Sequence, residues 1–417
     1  MYYLDSRRKQ LPVITLDMLP RSTMLFAILP VFATSGCTTQ ESAGPELIAT
    51  RSWRGDTLVV TQISGQVCGA TGILREDMRI GRADGPDEYL FGRVLAMAAR
   101  GDGPVYVYDD QIHALRLYDR NGAFVRNIGR RGSGPGEYQY IIGLALLDDG
   151  RLATWDVRGH RINMYRGDGE PLDDIVVTLG QMQFIDKAFA VDTADTYYVL
   201  TWGAGRLRML HFDDGGRVRD TLWYPRGQPF LGTPGVHPRL VATFHPHGHF
   251  VHGTSDRYAV HLRTPEGAPL TIERTVAPLP FADEERAQLQ ARLDWNARST
   301  PVADRPRGEF ATVPSAKPFF TDVLVGRDGT IWVLRELASR PRVSIQATRR
   351  DSEPQVTWSA DREFDVFAPD GRYYGRVPAP EHATIRVIDG TTLWGVVRDD
   401  DGVESIVRYR LTDFCNQ

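Results

Sequence analysis

The sequence predicts an all-β fold: a six-bladed β-propeller of four-stranded antiparallel blades, closed by an N-terminal strand and carrying one short helical insertion. Three observations predict it. Short runs of β-branched and aromatic residues alternate with Gly/Asp turns, the pattern of antiparallel strands. The order of those turns repeats about every fifty residues. The last repeat lacks a final strand, and a solitary strand near the N-terminus ends the way the missing one should.

The repeat is clearest in two stretches, "VLAMAARGDGPVYVYDDQIHALRLYDRNGAFVRNIG" and "GLALLDDGRLATWDVRGHRINMYRGDGEPLDDIVV". Each reads as an apolar strand, a DG-type turn, an aromatic strand ending in Asp (Asp109, Asp156), a polar turn, an apolar strand, a second xG turn and a fourth strand. First-turn signals recur at 100–103, 148–150, 193–195, 245–248, 327–329 and 388–390. Second-turn signals recur at 121–122, 168–169, 214–215, 266–267 and 370–371. Six first turns and five second turns leave the sixth unit, "ESIVRYRLTDFCNQ", one strand short. The early segment "ATGILREDMRIG" shares the Ile-Gly-Arg ending of the fourth strand "GAFVRNIGR". Joining the two completes a closed ring, which leaves only short protected edges.

The glycine-rich "NIGRRGSGPGEY" (Asn127–Tyr138) looks at first like a phosphate cradle. Such a cradle opens a helix, whereas here a strand follows, and a similar "RIGRADGPDEY" precedes the previous unit. Recurrence makes the stretch a linker between blades, with Tyr138 packed between them.

At the N-terminus, Arg21 precedes an apolar run from Met24 to Ala33, and then Thr34-Ser35-Gly36-Cys37. That run is too short to span a bilayer and reads as a secretion signal over 1–36, with Met18 as an alternative start. The small-small-Cys ending resembles the bacterial lipobox, which implies lipidation of Cys37 and a membrane-anchored location in the cell envelope or periplasm. A plain secreted protein is the alternative. Residues 37–55 read as a flexible tether and 56–417 as the propeller. In an oxidising envelope Cys68 and Cys415 invite a disulfide, and ring closure would bring them together. Two unpaired, half-buried thiols are the alternative.

"GSGPGEYQYIIGLALLDDGRLATWDVRGHRINMYRGDGE" resembles the NHL repeat, with Gly159-His160-Arg161-Ile162 at its signature. The similarity is good over roughly 78–176 and weak beyond. It implies a TolB-like six-bladed propeller, and the whole chain looks like bacterial lipoproteins of that description.

Two insertions interrupt the period, at 281–316 and 336–362. The first contains "FADEERAQLQARLDWNARST", rich in helix formers with an acidic first turn. Inter-blade linkers and the loops between second and third strands emerge on the same face, so both insertions belong to one mouth of the ring, with the helix as a partial lid. Candidate binding residues on that mouth are Arg82, Glu88, Asp109, Arg130, Glu137, Asp156 and His160. Asp109 and Asp156 also suit turn capping.

A net charge of -4 argues against a nucleic-acid surface. His237, His245, His247, His249, His252 and His261 cluster, yet His247 fills a first-turn slot and Pro246 and Gly248 break the strand, which favours structural roles over metal binding. Gluconolactonase-like propellers hold a divalent cation through axial Glu, Asn and Asp, and peptide-amidating-lyase-like propellers hold zinc through axial histidines. Neither set is present on the inner strands, and no catalytic residues stand out. The expected function is a monomeric, cofactor-free binding module for an envelope protein, peptide or small molecule. The alternative is a metal-dependent hydrolase or lyase acting at the axis.

Overall fold

The computed structural model describes residues 48–177, 189–203, 206–213, 215–223, 232–263, 268–301, 308–342 and 352–415. The leader, Cys37 and most of the expected tether lie outside them.

Six blades of four antiparallel strands form the ring, and the sheet of one blade is extended by two further strands. Before them come β1 (Ile48–Arg54), β2 (Thr57–Ser64) and β3 (Ile73–Ile80). Blade 1 is β4 (Val94–Ala99), β5 (Val105–Asp109), β6 (Ala114–Tyr118) and β7 (Phe124–Asn127). Blade 2 is β8 (Ile141–Leu146), β9 (Leu152–Asp156), β10 (Arg161–Tyr165) and β11 (Ile175–Val176). Blade 3 comprises β12 (Phe189–Val191), β13 (Tyr197–Gly203), β14 (Arg206–Phe212) and β15 (Val218–Trp223). Blade 4 comprises β16 (Leu240–His245), β17 (His249–Thr254), β18 (Ala259–Arg263) and β19 (Leu270–Arg274). The helix α1 (Asp283–Ser299) then leads to blade 5: β20 (Asp322–Val325), β21 (Ile331–Pro341), β22 (Trp358–Phe367) and β23 (Tyr373–Pro378). Blade 6 supplies β24 (Ala383–Asp389), β25 (Thr392–Arg398) and β26 (Glu404–Thr412), and β3 is its fourth strand.

Closure is made as expected, by the N-terminal strand on the last blade. Ile80 pairs with Ile406 and Leu74 with Leu411, antiparallel. Asp77 bridges Arg408 and Arg410 across this junction, at 2.7 Å from each. Burial raises the Asp77 carboxyl, but the two arginine hydrogen bonds outweigh it and hold the group below the usual carboxylate range.

The first strands do more than close the ring. Ile48–Arg54, expected within a tether, forms β1 and pairs with β2. Strand β2 adds in parallel to β19, giving blade 4 two extra outer strands. The chain then runs along the edge of blade 5, where Val67, Cys68 and Gly72 donate backbone hydrogen bonds to Tyr373, Tyr374 and Arg376. One N-terminal strap therefore binds blades 4, 5 and 6. Cys68 is joined to Cys415 with their Cα atoms 4.6 Å apart, fastening the strap to the last strand.

Apolar clusters fill the seams between blades. Trp155, Ile162 and Met164 of blade 2 meet Val199 and Leu210 of blade 3, and Val105 and Tyr118 of blade 1 meet Trp394 and Ile406 of blade 6. Alternate residues of each strand face the two neighbouring blades, so middle strands such as β5, β6, β9 and β10 are buried with both faces hydrophobic, while outer strands such as β7 and β15 are largely exposed. The seam between blades 4 and 5 adds a polar latch. Fully buried Asp365 accepts hydrogen bonds from Tyr258 and Tyr373, each at 2.8 Å, and pairs with Arg274 at 2.5 Å.

The Cys68–Cys415 link restrains a segment of 347 residues in the unfolded chain. Replacing Cys415 with Ser is expected to cost about 2–4 kcal/mol of stability. Chemical denaturation checks this, with the loss reproduced by reductant in the parent and absent from the variant.

Candidate functional site: the mouth of the ring

In a blade running outward from the axis, the second strand ends and the third begins on the face from which the inter-blade linkers emerge. Asp109 and Asp156 both lie at that point, and both are fully buried. Asp109 accepts hydrogen bonds from the backbone N–H groups of Gly92, Arg93 and Gln111. Asp156 accepts from Gln139, Tyr140 and Gly159. Each carboxylate thus holds the incoming linker against its own blade, and its oxygens are engaged within the fold. Glu404 of blade 6 accepts from the Val94 N–H at the start of blade 1, at 2.6 Å, and so acts across the seam to the next blade.

The glycine-rich stretch is a linker with its cradle filled from within. Glu137 accepts a hydrogen bond from the Gly134 N–H at 2.9 Å and pairs with Arg130 at 2.6 Å. A Cβ on Gly132 would stand 2.0 Å from the Glu137 carboxylate. The Gly134 N–H and the Arg130 guanidinium hold this carboxyl below its ordinary range. Tyr138 is buried, packs edge-on against Tyr108, and accepts a hydrogen bond from the Leu115 N–H.

The remaining candidates are dispersed. Arg82 is exposed, its guanidinium 5.4 Å from the centre of the Tyr89 ring. Glu88 contributes its carbonyl to the Tyr118 hydroxyl. His160 is exposed, and its carbonyl accepts from Val177. His160 and its counterpart His113 share a left-handed φ of 52°, a tight turn repeated in both blades. Among the described residues, the side-chain contact joining two of the seven candidates is the Arg130–Glu137 pair.

The two insertions do meet. The second one begins and ends as regular structure: Glu336 pairs with Arg362 and Pro341 with Trp358, extending the β21–β22 hairpin above blade 5. Helix α1 is polar on nearly all sides, with Glu285 and Leu293 its buried residues, so directed bonds rather than an apolar stripe hold it. Gln288 bonds Thr357 of the hairpin side, and Gln290 bonds Ala311 and Val313 of the connector. At the centre lies Lys317, its side chain 3% exposed. Its ammonium donates to Glu336 at 2.9 Å and Ser339 at 2.7 Å and forms an ion pair with Glu285 at 3.0 Å, to which the Ser339 hydroxyl donates in turn at 2.6 Å. Helix, connector and hairpin are thereby locked together.

Sequence reasoning missed this cluster. One signal was available: the chain has three lysines, and Lys317 is one of them. It also missed Asp110, a nearly buried carboxylate on the blade 1–2 rim that pairs with Arg93 and accepts from the Tyr140 hydroxyl at 2.8 Å. Arg93 holds the Asp110 carboxyl low.

The histidines are dispersed through blade 4 and its flank. His237 accepts from the Thr233 N–H and its other ring nitrogen contacts the Thr312 carbonyl. His252 and His261 lie 5.2 Å apart between ring centres, and His261 bonds Thr271. Among the described residues no group of three or more His, Cys, Asp or Glu is arranged to hold a metal.

A cavity of about 220 Å³ runs along the axis and is lined by all six inner strands, through residues such as Leu95, Ile142, Phe189, Phe244, Leu324 and Arg386. Its polar side chains are those of Thr243 and Arg386. Among the described residues that line it there is no carboxylate or imidazole, and this donor set does not fit a divalent cation.

A family model described as a 6-bladed beta-propeller (DUF5128) matches residues 84–199. No curated protein sequence matches the chain. Among solved structures, a putative exported protein from Bacteroides fragilis is 9% identical, with a TM-score of 0.49, over 85% of this chain and 99% of that one. A DUF4221 family member from Bacteroides vulgatus is 8% identical, with a TM-score of 0.48, over 82% and 99%. A catalytically inactive virginiamycin B lyase from Staphylococcus aureus is 9% identical, with a TM-score of 0.39, over 79% and 98%.

Asp156→Ala strips three part-buried backbone N–H groups of their acceptor and should cost about 2–3 kcal/mol. Arg130→Ala, on an exposed pair, should leave the denaturation midpoint unchanged. Burial lowers the His252 imidazole from 6.5 to about 3 and lowers His261 as well. The unfolded chain therefore binds more protons in that interval, and stability should decline as pH falls from about 6.5 towards 3. Urea midpoints measured across this range, with His252→Phe flattening the decline, check the assignment.

Proposed function

We propose that the protein is a binding module of the bacterial cell envelope, related to NHL-repeat, TolB-like lipoproteins and tethered through a lipid on Cys37. Its partner, an envelope protein, a peptide or a small molecule, docks on the linker face, where α1 and the β21–β22 extension rise above blade 5. The observation that carries this reading is the Lys317 cluster. It commits a buried ammonium and two carboxylates to fixing the two longest departures from the repeat against each other. Loops held on a rigid scaffold are where recognition is commonly placed. The axial lining disfavours the rival reading, a metal-dependent hydrolase or lyase, because it offers no ligand set for the cation.

The test is a comparison of the full ring with a variant lacking 283–314 as baits in an envelope extract. The reading expects one envelope component retained by the full ring and lost with the deletion. Equal retention would overturn it. A stoichiometric divalent cation in the purified ring would favour the enzyme instead.

A further inference from the structure

We propose that the axial cavity is a cup for a small uncharged aromatic molecule with one hydrogen-bonding group, of the phenol or indole type, seated against Phe189 and Phe244 with its polar atom towards Thr243. The site is separate from the partner surface above blade 5.

The turn face of the axis is closed. Apolar seams join the blades in chain order round the ring, so blades 2 and 5 stand opposite each other. Asp148 lies in the turn after β8 of blade 2, and Arg327 in the turn after β20 of blade 5. Their ion pair therefore crosses the axis. Arg100 of blade 1 joins the same carboxylate at 2.8 Å. Neighbouring turns are tied by backbone donors, the Gly101 N–H to the Asp389 carboxylate and the Arg327 N–H to the Ile388 carbonyl. Val325, just before this turn, lines the cavity, so the floor lies beneath it. Entry is then from the linker face.

Volume and walls set the body of the ligand. An apolar protein cavity of about 150 Å³ is enough to take up benzene. At about 220 Å³ the axial cavity admits one substituted ring or two fused rings. Leu95, Ile142, Phe189, Phe244 and Leu324 each come from a different blade, so an occupant meets carbon on every side. Two of these walls are phenyl rings, which favour another ring beside them. Gly143 makes room for one of them: a Cβ there would stand 2.5 Å from the Phe189 Cβ.

Charge is not called for. Among the described residues that line the cavity there is no carboxylate to hold a cation, and Arg386 already has a partner in the protein. An anion would have to compete with that partner and shed its water as well, a cost a neutral molecule avoids. The other polar side chain of the lining is Thr243, 8% exposed. Its hydroxyl both donates and accepts. A phenol O–H or an indole N–H can meet it, and a hydrocarbon cannot.

The experiment is calorimetric titration of the purified protein with phenol, indole and toluene, and with the charged analogues benzoate and benzylamine. One site per chain is expected for phenol or indole, with both charged analogues at least tenfold weaker. Ala190→Phe, which fills the cavity, should abolish binding. Thr243→Val keeps the shape and removes the hydroxyl. It should weaken phenol or indole about fivefold, the equivalent of one hydrogen bond, and leave toluene within about twofold. Melting curves verify that each variant is folded, and Thr243→Val decides the matter if Ala190→Phe is not. The 283–314 deletion should bind indole as the parent does, so this site and the partner surface stand or fall separately. Absence of phenol and indole binding to the parent would overturn the proposal. So would benzoate or benzylamine binding as tightly as phenol, binding that survives Ala190→Phe, or a Thr243→Val variant that treats phenol, indole and toluene as the parent does.

Discussion

The ring depends on one pairing, that of β26 with β3. Every other blade is made from consecutive strands, so its four members find each other locally. Blade 6 is completed by residues that precede the ring in the chain. Were that pairing lost, blade 6 would keep three strands and the seam with blade 1 would lose Ile80, a buried member of its cluster. The strap reinforces this weak point in succession: β2 on blade 4, the 67–72 segment on blade 5, β3 on blade 6, and a covalent link at the end. A closed ring whose seams are mutually supporting is a stiff platform, which is the condition for using its faces in recognition.

Buried charge is distributed according to that architecture. Asp109, Asp156 and Glu404 each satisfy backbone donors where a linker turns from one blade to the next. Asp365 performs a related task with side-chain hydroxyls and arginines across a seam. Lys317 is different in kind, because it joins elements that the repeat does not require. The contrast separates acids that build the ring from a cation that builds an addition to it.

Much of the ring was legible in the sequence because turns carry chemistry of their own. Gly and Asp mark the tight corners, so turns at 148–150 or 370–371 register without knowledge of packing. Closure was legible because a missing strand and a spare one can be matched. The β1–β2 hairpin was not, since β2 pairs with β19 across some two hundred intervening residues and β1 is exposed along its whole length. The mouth was legible in position but not in content. Asp109 and Asp156 repeat and therefore attract notice, yet repetition marks their structural duty. Arg386 and Glu336 occur within ordinary strand patterns, and only the fold shows that one faces the axis and the other Lys317.

The order in which the polypeptide is made gives ring closure a temporal side. Ile73–Ile80 leaves the ribosome well before its partner Glu404–Thr412, with the other five blades made in between. Throughout the interval the early strand has no sheet to join and is open to pairing with other chains. Its sequence, "ILREDMRI", carries Arg75, Glu76, Asp77 and Arg79 in eight residues. Such density of charge keeps a waiting strand hydrated and discourages self-association. Asp77 later meets Arg408 and Arg410 in the finished ring, so one side chain serves first as a guard and then as a clasp.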